Sequence, residues 1–136
     1  MPETTAALFA LEAFYNAFSA RDFPAMREIW ASEGPITCVH PGAPPLIERD
    51  EVLASWEAIL ANPQTPQVRF LSPDVRLYGD TAVVTCLEDV GGDLLAATNV
   101  LVRHGAVWRL VHHQAGALSV APDYEPEPVG GDGPIN

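Results

Sequence analysis

Asn99, His112 and Gln114 lie within Ala97–Gly116, an otherwise apolar run that reads as a β-hairpin. Burying an amide or imidazole without a partner costs about 1–3 kcal/mol, so three such groups point to a satisfied internal network or to a ligand pocket. His40, standing before Pro41 at the end of a short strand, is of the type that exchanges a proton near neutral pH. It is a candidate general base for a hydration, aldol closure, epimerisation or hydrolysis. Glu88 lies in the strand preceding the hairpin. If buried, its carboxylate needs a cation or several donors, which makes Glu88 and His112 the candidate catalytic partners of His40.

Strand alternation sorts these groups by face. If Arg103 and Trp108 flank the loop His104–Val107, Leu101 falls opposite Leu110, Asn99 opposite His112, and Ala97 opposite Gln114. Asn99, His112 and Gln114 then share one face, and Arg109, Val111 and His113 the other. Val84, Cys86 and Glu88 likewise share a face of the preceding strand. Alternation leaves open which face is concave. His112 and His113 cannot both bind one ion from a regular strand, because consecutive side chains diverge, and no metal site is expected. Gly-rich phosphate loops and Ser-His-Asp sets are absent from the sequence, so no cofactor is expected either.

The elements that must position these residues follow from periodicity. Leu8, Leu11, Phe14, Tyr15 and Phe18 form the stripe of an amphipathic helix over Thr4–Ala20. Asp22 caps a second helix, Phe23–Ala31, with Pro24 in its first turn. Ile36–His40 reads as a short strand ended by Pro41-Gly42-Ala43-Pro44-Pro45, and Asp50–Ala61 as a third helix stopped by Asn62-Pro63. From Gln67 the period becomes two. Val68–Leu71, Asp74–Tyr78, Thr81–Val90, Leu94–Val102 and Val107–Gln114 are strands joined by short turns, hence antiparallel neighbours. Three helices followed by a meander predict an α+β fold, with the helices on one face of a curved antiparallel sheet.

Residues 1–121 are read as one domain, a size that supports a single core. Residues 122–136 hold four Pro, three Gly and four acidic residues and are expected to be a disordered tail. The formal charge of −11 argues against nucleic acid and anionic membranes as partners. No apolar run is long enough to span a bilayer, and the Met-Pro-Glu-Thr-Thr start lacks the basic region of a secretory signal, so a cytoplasmic location is expected. Cys38 and Cys86 sit singly in apolar runs and are expected to be buried, reduced thiols.

The order of elements, together with Thr37-Cys38-Val39-His40-Pro41-Gly42, Ala97-Thr98-Asn99-Val100 and Trp108-Arg109-Leu110-Val111-His112-His113, resembles the SnoaL-like branch of the nuclear transport factor 2-like superfamily. The resemblance covers about Thr5–Leu118. It implies a cone-shaped α+β barrel enclosing one pocket, commonly built as a homodimer through the outer sheet face, where Val100, Val102 and Val111 would lie. In the related association domain of calmodulin-dependent kinase, pocket-facing residues match the positions of Glu88 and Asn99. The pocket is then expected to hold Glu88, Asn99, His112 and Gln114, with His40 at its mouth and Tyr15 and Trp56 on its helical wall, a lining suited to a small, largely apolar molecule. Similarity to ketosteroid isomerase places its general-base aspartate at His40 but its oxyanion tyrosine at Phe14, which has no donor. Steroid isomerisation is therefore not expected. The alternative to a ligand site is a non-catalytic dimerisation or assembly module.

Overall fold

The structure, a computed structural model, describes residues 2–129. Helix α1 (Glu3–Ala20) buries Ala7, Leu11, Phe14, Tyr15 and Ala17 along one side, the stripe its sequence predicts. It stops at Arg21, whose backbone takes the left-handed conformation (φ 56°); the amide of Asp22 closes back onto the Ala17 carbonyl at 3.0 Å. Asp22 then caps helix α2 (Phe23–Ile29) by accepting from the Ala25 amide at 3.1 Å. Helix α2 ends two residues before the expected Ala31. Trp30 turns out into extended backbone and bridges Leu110, and the Ala31 amide donates to the Leu110 carbonyl at 2.9 Å.

Strand β1 (Thr37–Val39) and helix α3 (Arg49–Ala61) complete the first half. The second half is a meander of β2 (Val68–Tyr78), β3 (Thr81–Val90), β4 (Asp93–His104) and β5 (Val107–Ala117). The sheet order is β1-β5-β4-β3-β2. The meander pairs antiparallel, as short turns require, but β1 joins β5 in parallel, with Thr37 opposite His112 and Cys38 opposite His113. The sheet is therefore mixed and open. A parallel pairing between segments far apart in the chain leaves no trace in local sequence.

Two irregularities shape the site. The runs expected as Val68–Leu71 and Asp74–Tyr78 are one strand, interrupted where Ser72 adopts φ 50° and the register shifts between Leu71 and Asp74. At that point part of the segment expected to be disordered lies along β2: the Ser72 amide donates to the Glu127 carbonyl at 2.9 Å and the Val129 amide to the Phe70 carbonyl at 3.0 Å. These bonds occupy groups of an otherwise open sheet edge. Residues 130–136, the remainder of that expected tail, lie outside the described residues.

The second irregularity is between β4 and β5. Leu101 faces Leu110 as expected, but Val100 then faces His112, so Val111 is the extra residue of a bulge. Beyond it Asn99 stands opposite His113, and Ala97 opposite Ala115. The expected pairs Asn99 with His112 and Ala97 with Gln114 are corrected, because one inserted residue exchanges the faces of every residue that follows.

The three helices cover one sheet face. Phe14, Trp56, Met26 and Leu11 pack with Val84, Leu101 and Leu110 in a continuous core. On the opposite face Val83, Val100 and Val102 remain partly exposed, whereas Val111, expected beside them, packs against the core.

Candidate functional site

Beneath α1 and α3, three neighbouring strands each turn one polar side chain into the core: Glu88 from β3, Asn99 from β4 and His113 from β5, with exposures of 3%, 0% and 3%. Tyr15 reaches them from α1. Its hydroxyl donates to Glu88 Oε2 at 2.6 Å and lies 3.4 Å from Cys86 Sγ. The Asn99 side-chain oxygen accepts from His113 Nδ1 at 2.7 Å, and its amide nitrogen faces Cys86 Sγ at 3.9 Å. Because Asn99 takes the Nδ1 proton, the Nε2 lone pair of neutral His113 points toward Glu88, with Oε2 at 3.8 Å.

Charge in this cluster is governed by burial. His113 is held down to about 3, first by desolvation and then by the neighbouring His40 and His112. It is neutral at neutral pH, so its approach to Glu88 is not an ion pair. Desolvation raises the Glu88 carboxyl, partly offset by the Tyr15 hydroxyl. Burial, followed by the proximity of Glu88, keeps Tyr15 protonated well above the usual phenol range. Cys38 and Cys86 are both pushed up to about 12, chiefly by burial, and both are free thiols with no nucleophilic character at neutral pH. A carboxyl group and a neutral imidazole thereby lie side by side in a dry interior.

His40 occupies a second polar position, one ring away. Its Nε2 is 2.9 Å from Ser55 Oγ, whose own hydrogen goes to the Val52 carbonyl at 2.7 Å. Ser55 must therefore accept from His40 Nε2–H, which leaves the lone pair on Nδ1. Burial lowers the His40 pKa, favouring the neutral base. Trp56 separates the two positions, with ring centroids 5.1 Å from His40 and 5.7 Å from His113.

The structure thus gathers Tyr15, Glu88, Asn99 and Trp56 as expected and keeps His40 at the edge of the group. It moves His112 and Gln114 out of it. The His112 ring is half-buried and its Nδ1 is 2.7 Å from Thr37 Oγ1, while Gln114 is exposed. His113 takes the inward place. Two adjacent histidines were the only signal available in the sequence, and the bulge that selects between them has no local signature. Ser55, which fixes the His40 tautomer, carries no signal that distinguishes it from the other polar residues of α3.

Aromatic rings pack closely around the cluster. The Phe14 ring lies 4.9 Å from His113, and the Tyr15 ring stacks on Phe70 at 4.4 Å. A cleft of about 550 Å³ between Pro41, Leu94 and Ala121 does not reach the cluster. A smaller one, about 140 Å³ between α1 and β2, does reach Tyr15, with Phe70 and Val129 on its walls. No helix among the described residues is long and apolar enough to cross a membrane.

With an open sheet wrapped on three helices, and inward polar groups from adjacent strands, the chain matches the SnoaL-like domain over residues 8–120. It belongs to that family. A Streptomyces avermitilis protein of the NTF2-like family, provisionally assigned as a dehydratase, has the same fold with a TM-score of 0.77 and 36% identity, covering 87% of this chain and 97% of the other. A Thiobacillus denitrificans protein provisionally assigned as a calcium/calmodulin-dependent protein kinase type II association domain superposes with a TM-score of 0.75 at 28% identity, covering 87% and 99%. Among curated proteins, F-box protein SKIP8 of Arabidopsis thaliana is 25% identical over 120 residues, which is 86% of this chain and 52% of that protein. The chain therefore spans about half the length of the curated relative it matches.

Proposed function

We propose that the cone interior takes a small, largely apolar molecule against Glu88 and His113, and that this pair supplies proton donation and acceptance to it. The observation that carries this reading is the buried run of Tyr15, Glu88, His113 and Asn99, with one hydrogen bond of 2.6 Å and another of 2.7 Å at its two ends. A core that only had to fold would be served as well by apolar residues of similar volume. Perturbed acid and base groups held side by side are instead the arrangement proton chemistry needs. Loss of water from a neighbouring pair of carbons requires a base for the C–H proton and an acid for the leaving hydroxyl. Neutral His113 takes the first role and the Glu88 carboxyl, raised by burial, the second; the provisional assignment of the Streptomyces avermitilis relative is consistent with them. Tyr15 positions the Glu88 proton, Asn99 holds the His113 tautomer, and His40 acts as a second base nearer the surface. A ligand enters by the cleft beside Tyr15 and Val129 and rests against Trp56.

Native mass spectrometry of the protein purified from its own host tests this reading. A bound small molecule, retained by the wild type and lost in Trp56→Ala, supports it. Release of nothing on denaturation, together with no binding of apolar carbonyl compounds in a titration of Trp fluorescence, contradicts it.

A second reading is favoured by a separate observation, the partly exposed valines of the outer sheet face. They suit a second copy of the chain, and the resemblance to the Thiobacillus denitrificans association domain points the same way. Homodimerisation through this face accompanies either role.

A further inference from the structure

All seven basic residues of this chain are arginine, against eighteen acidic residues. Three of them, Arg27 from α2, Arg49 from α3 and Arg109 from β5, line one cleft of about 360 Å³ that none of the polar-cluster residues lines. Among the described residues, the ion pairs engage Arg69, Arg76 and Arg103 instead. The three cleft arginines find only weak or neutral partners. Arg49 donates to the carbonyls of Ala31 and Gly34, Arg109 donates to that of Glu28, and Arg27 lies over the Phe23 ring.

Backbone carbonyls orient a guanidinium but leave its charge unbalanced, and each group retains free N–H donors. Glu28 borders the cleft without pairing to any of the three. Trp30 also lines it, and its buried indole N–H has no acceptor. Three arginines and a single carboxylate, Glu28, line this cleft in a strongly acidic protein, a local excess of positive charge that favours an anion there.

We infer that this cleft is an anion-binding site for a small molecule carrying two or more acidic oxygens, phosphoryl or carboxylate. Arg49 from α3 and Arg109 from β5, already oriented by carbonyls, grip separate oxygens through their free N–H donors. Arg27 closes the outer side. The volume falls within the usual range for small-molecule sites. The site is independent of the one beneath α1 and α3.

Isothermal titration calorimetry of the full chain at low ionic strength, with inorganic pyrophosphate in one arm and citrate in the other, tests it. Saturable binding of at least one probe is expected, weakened about tenfold or more in Arg49→Gln and in Arg27→Gln and unchanged in Arg69→Gln. The better of the two probes gives the class of acidic oxygen. Arg49→Gln loses two carbonyl contacts and can disturb the fold; exposed Arg27 carries no such contacts, so Arg27→Gln is decisive. Absence of saturable heat with both probes, or binding that Arg27→Gln leaves unchanged, overturns the inference.

Discussion

Asn99 stands opposite His113, and its side-chain oxygen receives the His113 Nδ1 proton at 2.7 Å. This contact fixes which end of the imidazole faces Glu88, and it exists because Val111 is bulged out of the β4–β5 ladder. Replacing the acceptor leaves a buried N–H unpaired. Asn99→Leu is expected to lower the unfolding free energy by about 1–3 kcal/mol, measured by urea denaturation. Unchanged stability would show that His113 finds another acceptor.

His112 and His113 are adjacent in sequence but on opposite faces. His112→Ala removes one half-buried contact with Thr37, expected to cost about 0.5–1.5 kcal/mol. His113→Ala opens a cavity and strands Asn99, for a loss of about 2–5 kcal/mol. Equal effects in thermal unfolding would place the bulge elsewhere.

Acid stability carries the mark of the same burial. His113 is held at about 3 in the folded chain against 6.5 for a free imidazole. Between those values the unfolded chain binds a proton that the folded chain refuses, so stability falls as pH drops through the window, by up to about 1.4 kcal/mol per pH unit. Glu88 works in the opposite sense. Its folded pKa is raised above 4.5, so its burial penalty is greatest at higher pH and is lifted as the carboxyl protonates. Urea unfolding at stepped pH between these values is expected to show a shallower acid-side loss in His113→Gln than in wild type, and a steeper one in Glu88→Gln. The reverse order would contradict the assignment of these two groups.

Val100 and Val102 belong to the outer sheet face, which none of the three helices covers. A homodimer through that face is expected to dissociate in Val100→Glu without unfolding. Sedimentation velocity at micromolar concentration checks this, since an unaltered sedimentation profile would place the contact on another surface.

What could be read from the residues divides along local and non-local lines. The Leu8, Leu11, Phe14 and Phe18 stripe, the Asp22 cap and the period-two runs after Gln67 act within a few residues, and the corresponding helices and strands form where expected. Alternation is regular enough in β3 and β4 to bury both Glu88 and Asn99, but within β5 the Val111 bulge breaks it. What local pattern does not encode is pairing at a distance. The parallel partnership of Thr37 with His112, the Val111 bulge and the contact of Glu127 with Ser72 each depend on segments remote in the chain. A regular ladder puts His113 on the outer face; the bulge turns it inward.

The most direct test of the acid/base cluster is two-bond ¹H–¹⁵N correlation NMR of the His113 ring. The neutral tautomer with the proton on Nδ1 and the lone pair on Nε2 is expected, persisting without titration from neutral pH down to about pH 4. A His113 ring that is cationic at neutral pH, or carries its proton on Nε2, would contradict the proton arrangement assigned to Glu88, His113 and Asn99.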